Sequence, residues 1–564
     1  MEFSQHRWKK YLPKFVLCLK DYSARIFVAD LAAGVTVGLV ALPLAMAFAI
    51  ASGLTPQAGI YCALVTGFLI SLLGGSKMQI GGPTGAFVVV IAGILAKHGI
   101  HGLFVCTMMA GVMLVIMGVT GLGKAVQFIP RPVVMGFTNG IAVLIASTQI
   151  RDFFGLQLEH NPGEFFARMK ELVEHAGTVS TSATALGAAS LAIILLTPKL
   201  SKRVPGYIVA LVAGTAAAAL LHLPVETIGT RFGGIPSGLP HMQFPEFHTN
   251  LVLPLFSSAV TIAMLGAIES LMSAVVADSM SGDKHNPNVE LVAQGIANIV
   301  SPIFGGLPAT GAIARTATNI RSGAKTPVAG IVHSITLLAV LLFAAPLARF
   351  IPMAVLAAIL FVVSYNMGQW GDTWRLLRLN KSAVAVWLVT FGLTVMADLT
   401  TAVEFGMILA ALTFIRSVAD STSVSPVTKD YILTGRAHVL HDKHIPEYVE
   451  VFTVQGALLF GAAQKLEVII HRLHALPPIV ILRLRGMSAI DSTGLGAIED
   501  VAMRLHDSGR HLLLCGAKEH PAKLIHQPVF EQRIGAENIC ANIQDALDKA
   551  EEIMKEKHAA ENKA

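Results

Sequence analysis

Between residues 29 and 417 the chain alternates long apolar blocks with short breaks rich in glycine, proline or charge. The blocks fall at roughly 29–50, 57–73, 84–97, 102–121, 132–150, 182–197 and 205–222. A second set lies at 254–277, 289–304, 310–322, 326–346, 351–368, 382–397 and 401–417. Most approach the ~20 apolar residues that a helix needs to cross a bilayer, so the pattern predicts about fourteen membrane-spanning segments. After residue 430 the period changes. Residues 449–456 (VEVFTVQG), 479–485 (IVILRLR) and 511–516 (HLLLCG) read as strands, and 465–475, 492–508 and 541–557 read as helices. Strands alternating with helices predict an α/β layer. The expected organisation is an N-terminal segment (1–28), a transmembrane domain (29–420), a linker (421–445), an α/β domain (446–558) and a tail (559–564).

The apolar blocks repeat. Phe128-Ile129-Pro130 recurs as Phe350-Ile351-Pro352, and Pro83-Thr84-Gly85-Ala86 has a counterpart in Pro308-Ala309-Thr310-Gly311-Ala312, both at an offset near 222–227. That offset spans seven segments, and an odd number inverts the second copy. The predicted fold class is therefore an α-helical polytopic membrane protein with 14 segments as 7+7 inverted repeats, the architecture of many secondary transporters.

Two repeat-related blocks are short. The run after Pro83 has about fourteen residues, roughly 21 Å of helix against a ~30 Å hydrocarbon core, and the run after Pro308 is shorter still. A helix that begins at mid-membrane leaves unpaired backbone N–H groups there, carrying partial positive charge. Two such ends facing each other would hold an anion with backbone alone. The competing reading is that the glycines leading into these runs serve close helix packing.

Composition sharpens this division. The chain is 54% hydrophobic and 14% charged, against roughly 25% charged in soluble domains. Residues 430–564 hold 33 of the 78 Asp, Glu, Lys and Arg. The net charge of +6 does not point to nucleic acid, because the basic residues sit in short loops beside apolar blocks. Arg7, Lys9, Lys10, Lys14, Lys20 and Arg25 precede the first block and place the N-terminus in the cytoplasm. The loops bearing Lys124 and Arg131, Lys199, Lys202 and Arg203, and Arg375, Arg378 and Lys381 then fall on the same side. An even number of spans returns the chain there, which makes the α/β domain cytoplasmic. The N-terminus lacks the features of a cleaved signal peptide, so the first span is expected to stay as an anchor. The five cysteines show no metal-ligand spacing, and no nucleophile–base set suggests an enzyme or a cofactor.

One carboxylate stands near the middle of an apolar block: Glu269, in TIAMLGAIESLMSAVVADSM (261–280). An ionised group at that depth costs a few kcal/mol even on lenient scales, which marks a functional site by default. Gly266 and Ser273 share its helix face. Glu269 could take up and release a proton during transport. It could instead form a carboxylate–hydroxyl cation site with Ser273, or a permanent pair with Arg315. Arg315 lies about one turn into the second short helix, where it would add positive potential to an anion site.

Four stretches carry a family resemblance: GVTVGLVALPLAMAFAIASGLTPQAGIY (34–61), GGPTGAFVVV (81–90), MLGAIESLMSAVVADSMSG (264–282) and GLPATGAIARTATNI (306–320). They resemble the SulP family of anion transporters, which includes prestin and pendrin. The resemblance implies fourteen spans, a gate domain moving against a core domain, a homodimer, and an anion site between the third and tenth spans. By position, Phe48 is similar to the aromatic wall of the family's pocket. Thr84, Gly85 and Ala86 match the start of the third span. Gly311, Ala312, Ile313, Ala314 and Arg315 match the start of the tenth. Leu44 stands where some animal members have glutamine. Sodium-coupled bicarbonate members carry Asp at the position of Glu269 and Thr four residues on; Glu269 and Ser273 resemble proton-coupled members instead.

The loop IDSTGLGAI (490–498) places Asp491 and Ser492 to cap the following helix. It resembles the STAS domain that SulP proteins carry. In soluble STAS relatives the serine after the aspartate is phosphorylated, so Ser492 or Thr493 could be such a site, and a cytoplasmic protein partner is possible. The expected function is proton-coupled symport of a small anion (sulfate, bicarbonate or a C4-dicarboxylate) across an inner or plasma membrane, in contact with membrane lipid. The alternatives are sodium-coupled bicarbonate symport and a non-transporting sensor that signals through STAS.

Overall fold

The computed structural model describes residues 12–123, 130–158, 164–200, 205–235, 238, 242–244, 251–368, 370–379, 381–397, 399–427 and 443–561. Phe128 and Ile129 of the repeat, Lys124, Lys202 and Arg203, most of the 421–445 linker and the last three residues of the tail lie outside the described residues. Two compact units emerge, Met1–Ala410 and Ala411–Ala564.

In the first unit each apolar block has its helix. They are α1 (Ala24–Ala51), α2 (Pro56–Leu73), α3 (Gly85–Val119), α4 (Arg131–Phe154), α5 (Thr181–Leu200), α6 (Gly206–Leu220), α7 (Val252–Ser281), α8 (Pro287–Val300), α9 (Ile313–Arg321), α10 (Val328–Phe343), α11 (Met353–Met367), α12 (Lys381–Met396) and α13 (Leu399–Ser421), the last running into the second unit. α3 is bent at Gly99, whose φ of 66° is open to glycine, so it supplies two segments. The described residues thus carry fourteen helical segments in these blocks, seven on each side of the 221–251 stretch, of which α9 (IARTATNIR) is polar. Among the described residues, eight helices are long and apolar enough to cross a membrane.

The helices sort into two groups. α8 packs on α3, α10 on α1 and α2, and α7 on α3, with α9 against α7. The other group is α4, α5, α6, α11 and α12, in which α12 and α11 pack on α4, α11 on α5, and α5 on α6. Without a hydrophobic driving force between spans, such contacts rely on small residues that let backbones approach. At the α3–α8 crossing a Cβ on Gly295 would lie 2.6 Å from the Gly111 carbonyl oxygen, and one on Gly111 would lie 2.7 Å from that of Gly295.

Ahead of α3 and α9, both in the first group, runs a two-stranded antiparallel crossing, β1 (Gly81–Gly82) with β2 (Thr310–Gly311), in the register Gly81↔Gly311 and Gly82↔Thr310. Extended backbone at this depth needs every polar group satisfied within the protein, and side chains complete what the two short strands leave open. Asn298 accepts from the Ala309 N–H and donates to the Ala309 carbonyl, both at 2.8 Å. Asn319 donates to the Met78 carbonyl at 2.9 Å, and Thr316 accepts from the Ile80 N–H at 3.1 Å.

The second unit holds a five-stranded sheet ordered β3 (Ser423–Pro426), β4 (Val449–Leu458), β5 (Ile479–Ile490), β6 (His511–Cys515) and β7 (Ile539–Cys540). β3 pairs antiparallel with β4, and the rest pair in parallel. One face packs around Phe452, Val454 and Leu482 with α14 (Ser492–Asp507), and the other packs around Val451, Ile481 and Leu513 with α15 (Ile543–Glu561). The three strands expected from the sequence are present. β3 lies within the stretch read as linker, where SVSP is too short and polar to register as a strand.

Candidate functional site

The β1–β2 crossing delivers two helix N-termini to one place. Thr84 is the N-cap of α3 and Ala312 that of α9, and neither caps its helix with a side chain. Alanine has no group to offer, and the Thr84 hydroxyl is used elsewhere: it donates to Glu269 Oε2 at 2.8 Å. The first amides of both helices therefore keep their partial positive charge for something other than the protein's own caps.

Arg315, in the first turn of α9, is 2% exposed. One of its nitrogens donates to the Pro83 carbonyl, while Nη1 is buried with no hydrogen-bond partner. Gly82 makes room for it: a Cβ there would lie 2.4 Å from Nη1, and the Gly82 φ of +147° is one that side chains rarely adopt. Glu269 and Arg315 do not bond each other. Each has its own anchor on the segment that leads into α3.

These groups face a cavity of about 440 Å³ between the two helix groups, within the ~300–1,000 Å³ of small-molecule sites. Phe48, Thr84, Gly85, Glu269, Gly311, Ala312, Ile313, Ala314 and Arg315 line it, and so does Leu44. The Phe48 ring lies over Gly85, 3.3 Å from where a Cβ would stand. Ala86 is buried behind the lining. Ser273 is also buried outside the lining, and it donates to Thr316 Oγ1 at 3.1 Å. The face it shares with Gly266 is a docking surface: the Gly266 carbonyl accepts from Thr310 Oγ1, and the Ser270 carbonyl accepts from Gln79 Nε2. Glu269, between them, turns to the cavity instead.

The opposite wall escapes sequence reasoning. Arg131, Thr138, Tyr207 and Asn366 come from α4, α6 and α11. Thr138, Tyr207 and Asn366 sit in apolar blocks with no charge or spacing that marks them, and Arg131 reads from the sequence only as a loop charge beside the Phe128-Ile129-Pro130 repeat. Arg131 stands at the mouth, its side chain 72% exposed and paired with Asp372 at 2.8 Å.

Two further buried carboxylates hold the scaffold. Asp30 accepts from the Lys325 and Thr326 N–H groups and from the Thr326 hydroxyl. Glu290 accepts from the Gly75 and Ser76 N–H groups at 2.9 and 3.1 Å and from Gln294 Nε2 at 2.9 Å. Nearby, burial works against ionisation of Asp283, but Lys14 at 2.9 Å and Lys77 at 3.3 Å hold its carboxyl below the usual range.

In the second unit Asp491 caps α14, accepting from the Gly494 N–H at 2.8 Å and from the Phe460 N–H at 2.9 Å. Ser492 and Thr493 are exposed on its first turn.

Comparison with known proteins agrees with this architecture. Residues 27–390 match the sulfate permease family and residues 442–546 match the STAS domain. The putative sulfate transporter YvdB of Bacillus subtilis is 40% identical over 92% of this chain and 97% of its own length. The bicarbonate transporter BicA of Synechocystis is 32% identical over 86% of this chain and 88% of its own. The solved transmembrane domain of a cyanobacterial BicA, 34% identical, covers 69% of this chain and 98% of its own with a TM-score of 0.61. Murine Slc26a9 in the inward-facing state shares the fold at 19% identity, covering 96% of this chain and 94% of its own with a TM-score of 0.83. The chain belongs to the sulfate permease family of anion transporters, with a C-terminal STAS domain.

Proposed function

We propose that the protein is a secondary active transporter that moves a small anion by alternating access and couples it to a proton. The observation that carries this reading is the pairing inside one cavity of an unpartnered, buried Arg315 Nη1 with a carboxylate that has one donor, Glu269. The anion lies against the uncapped amide ends of α3 and α9 with Arg315 supplying a full charge, and Phe48 closes one side. Amides and a guanidinium read charge more than shape, so sulfate, bicarbonate and C4-dicarboxylates are all candidate substrates.

Glu269 carries the proton in this scheme. Support for a proton over sodium comes from Ser273, whose hydroxyl is donated to Thr316 and not turned toward Glu269. With the N-terminus in the cytoplasm of an inner or plasma membrane, the mouth at Arg131 faces inward. The helix group containing α3 and α9 then moves as the core against the group of α4 and α11 as the gate, in a homodimer. Exposed Ser492 or Thr493 is a candidate phosphorylation site, because a phosphate on the first turn of α14 would meet a favourable helix end.

The test is uptake of labelled sulfate, bicarbonate and succinate into vesicles under imposed proton or sodium gradients. The proposal expects accumulation of one of these anions driven by an inward proton gradient. Accumulation driven by sodium alone would replace the proton, and no flux of any anion would favour a sensor. Arg315→Ala is expected to weaken anion binding by about 1.5–3 kcal/mol, roughly 10- to 100-fold.

A further inference from the structure

The gate group contains a second cavity. It measures about 740 Å³ and is walled by Phe153, Phe154, Leu191, Ile194 and Phe361. Its rim is formed by Leu195 and Tyr365, which are 54% and 67% exposed. Leu196 and Leu200, on the same helix, are exposed as well. A helix surface of this composition stands against lipid tails in a membrane. An open apolar volume on such a surface gains dispersion contacts when hydrocarbon fills it, and it offers water too few polar partners to stay wet. On its inner side, Tyr207 and Asn366 line both this groove and the cavity that holds Arg315 and Glu269. The two spaces share a wall two residues wide.

We infer that the groove between α5, α6 and α11 is a binding site for one acyl chain of a membrane phospholipid. The chain enters beside Leu195, packs on the Phe153, Phe154 and Phe361 rings, and supports the Tyr207–Asn366 wall from behind. The lipid is thereby a structural part of the gate, and its presence bears on how the anion cavity is shaped.

The full-length protein in vesicles of phosphatidylcholine carrying a diazirine on the acyl chain tests this by photolabelling and peptide mapping. Label is expected to concentrate on residues 191–198 and 361–366. Leu195→Trp, which fills the mouth from an exposed position, should lower that labelling about tenfold. Leu388→Trp, at an exposed leucine on α12, should leave it unchanged. Even labelling over all lipid-facing helices overturns the inference. So does undiminished labelling in Leu195→Trp, or cross-linking of residue 195 to a second copy of the chain in place of lipid. The readout is independent of anion transport, so it stands or falls apart from the proposed function.

Discussion

Glu290 and Glu269 are both carboxylates set into apolar helices, and they are held in opposite ways. Glu290 is sealed from solvent and accepts three hydrogen bonds: two from the backbone of the turn after α2 and one from Gln294. Its lone pairs are committed, and a buried charge so fully bonded is an anchor. Glu269 is half-buried, lines the central cavity and takes a single bond, from Thr84. It keeps acceptor capacity free on the side where an anion and a proton would arrive. On the proposed function, burial in an apolar helix does not separate a working carboxylate from a structural one. The number of bonds already made does.

The contrast can be broken from either side. Glu290→Ala leaves two backbone N–H groups and an amide without their acceptor, and is expected to destabilise the protein by about 3–5 kcal/mol. Thermal unfolding of the purified protein in detergent would register this as a large fall in Tm or as failure to fold. Glu269→Gln removes a proton-binding group from a site with only one bond, so its Tm should stay near that of wild type. Gradient-driven accumulation should fall about 100-fold while anion exchange persists, and paired accumulation and exchange assays check this. Gly82→Ala places a methyl 2.4 Å from Arg315 Nη1 at a strained φ. It should weaken anion binding about tenfold, at a backbone cost of about 1–3 kcal/mol, as measured by calorimetry. Thr84→Val deletes the one bond to Glu269, worth about 1 kcal/mol, and should slow initial uptake about fivefold. Thr84→Ser, which keeps the hydroxyl, should stay near wild type in the same assay.

The same contrast explains what could be read from the sequence. Glu269 was legible because it stands near the middle of a long apolar run. Asp30 and Glu290 sit at the first positions of theirs, where a carboxylate looks like a boundary, so their scaffold role emerges only when the Gly75 and Thr326 turns fold onto them. The half-helices were legible because Pro83 and Pro308 lead short runs at a common offset. Their pairing through β1 and β2 was not, since two-residue strands leave no periodic trace. Phe48 and Arg315 came through their motifs. Tyr207 and Asn366 lie in otherwise ordinary apolar helices and come to line the cavity only through the packing of α6 and α11. In the second unit β4, β5 and β6 followed from β-branched runs, whereas β3 and β7 are edge strands too short to announce themselves.

The central claim is that Glu269 binds the proton that travels with the anion. Its most direct test is proton uptake by the purified protein when anion is added in weakly buffered solution, followed with a pH indicator, for wild type and Glu269→Gln side by side. Wild type is predicted to take up one proton per protomer on binding the transported anion, and Glu269→Gln to bind anion without proton uptake. Equal proton uptake by the two proteins would contradict the account.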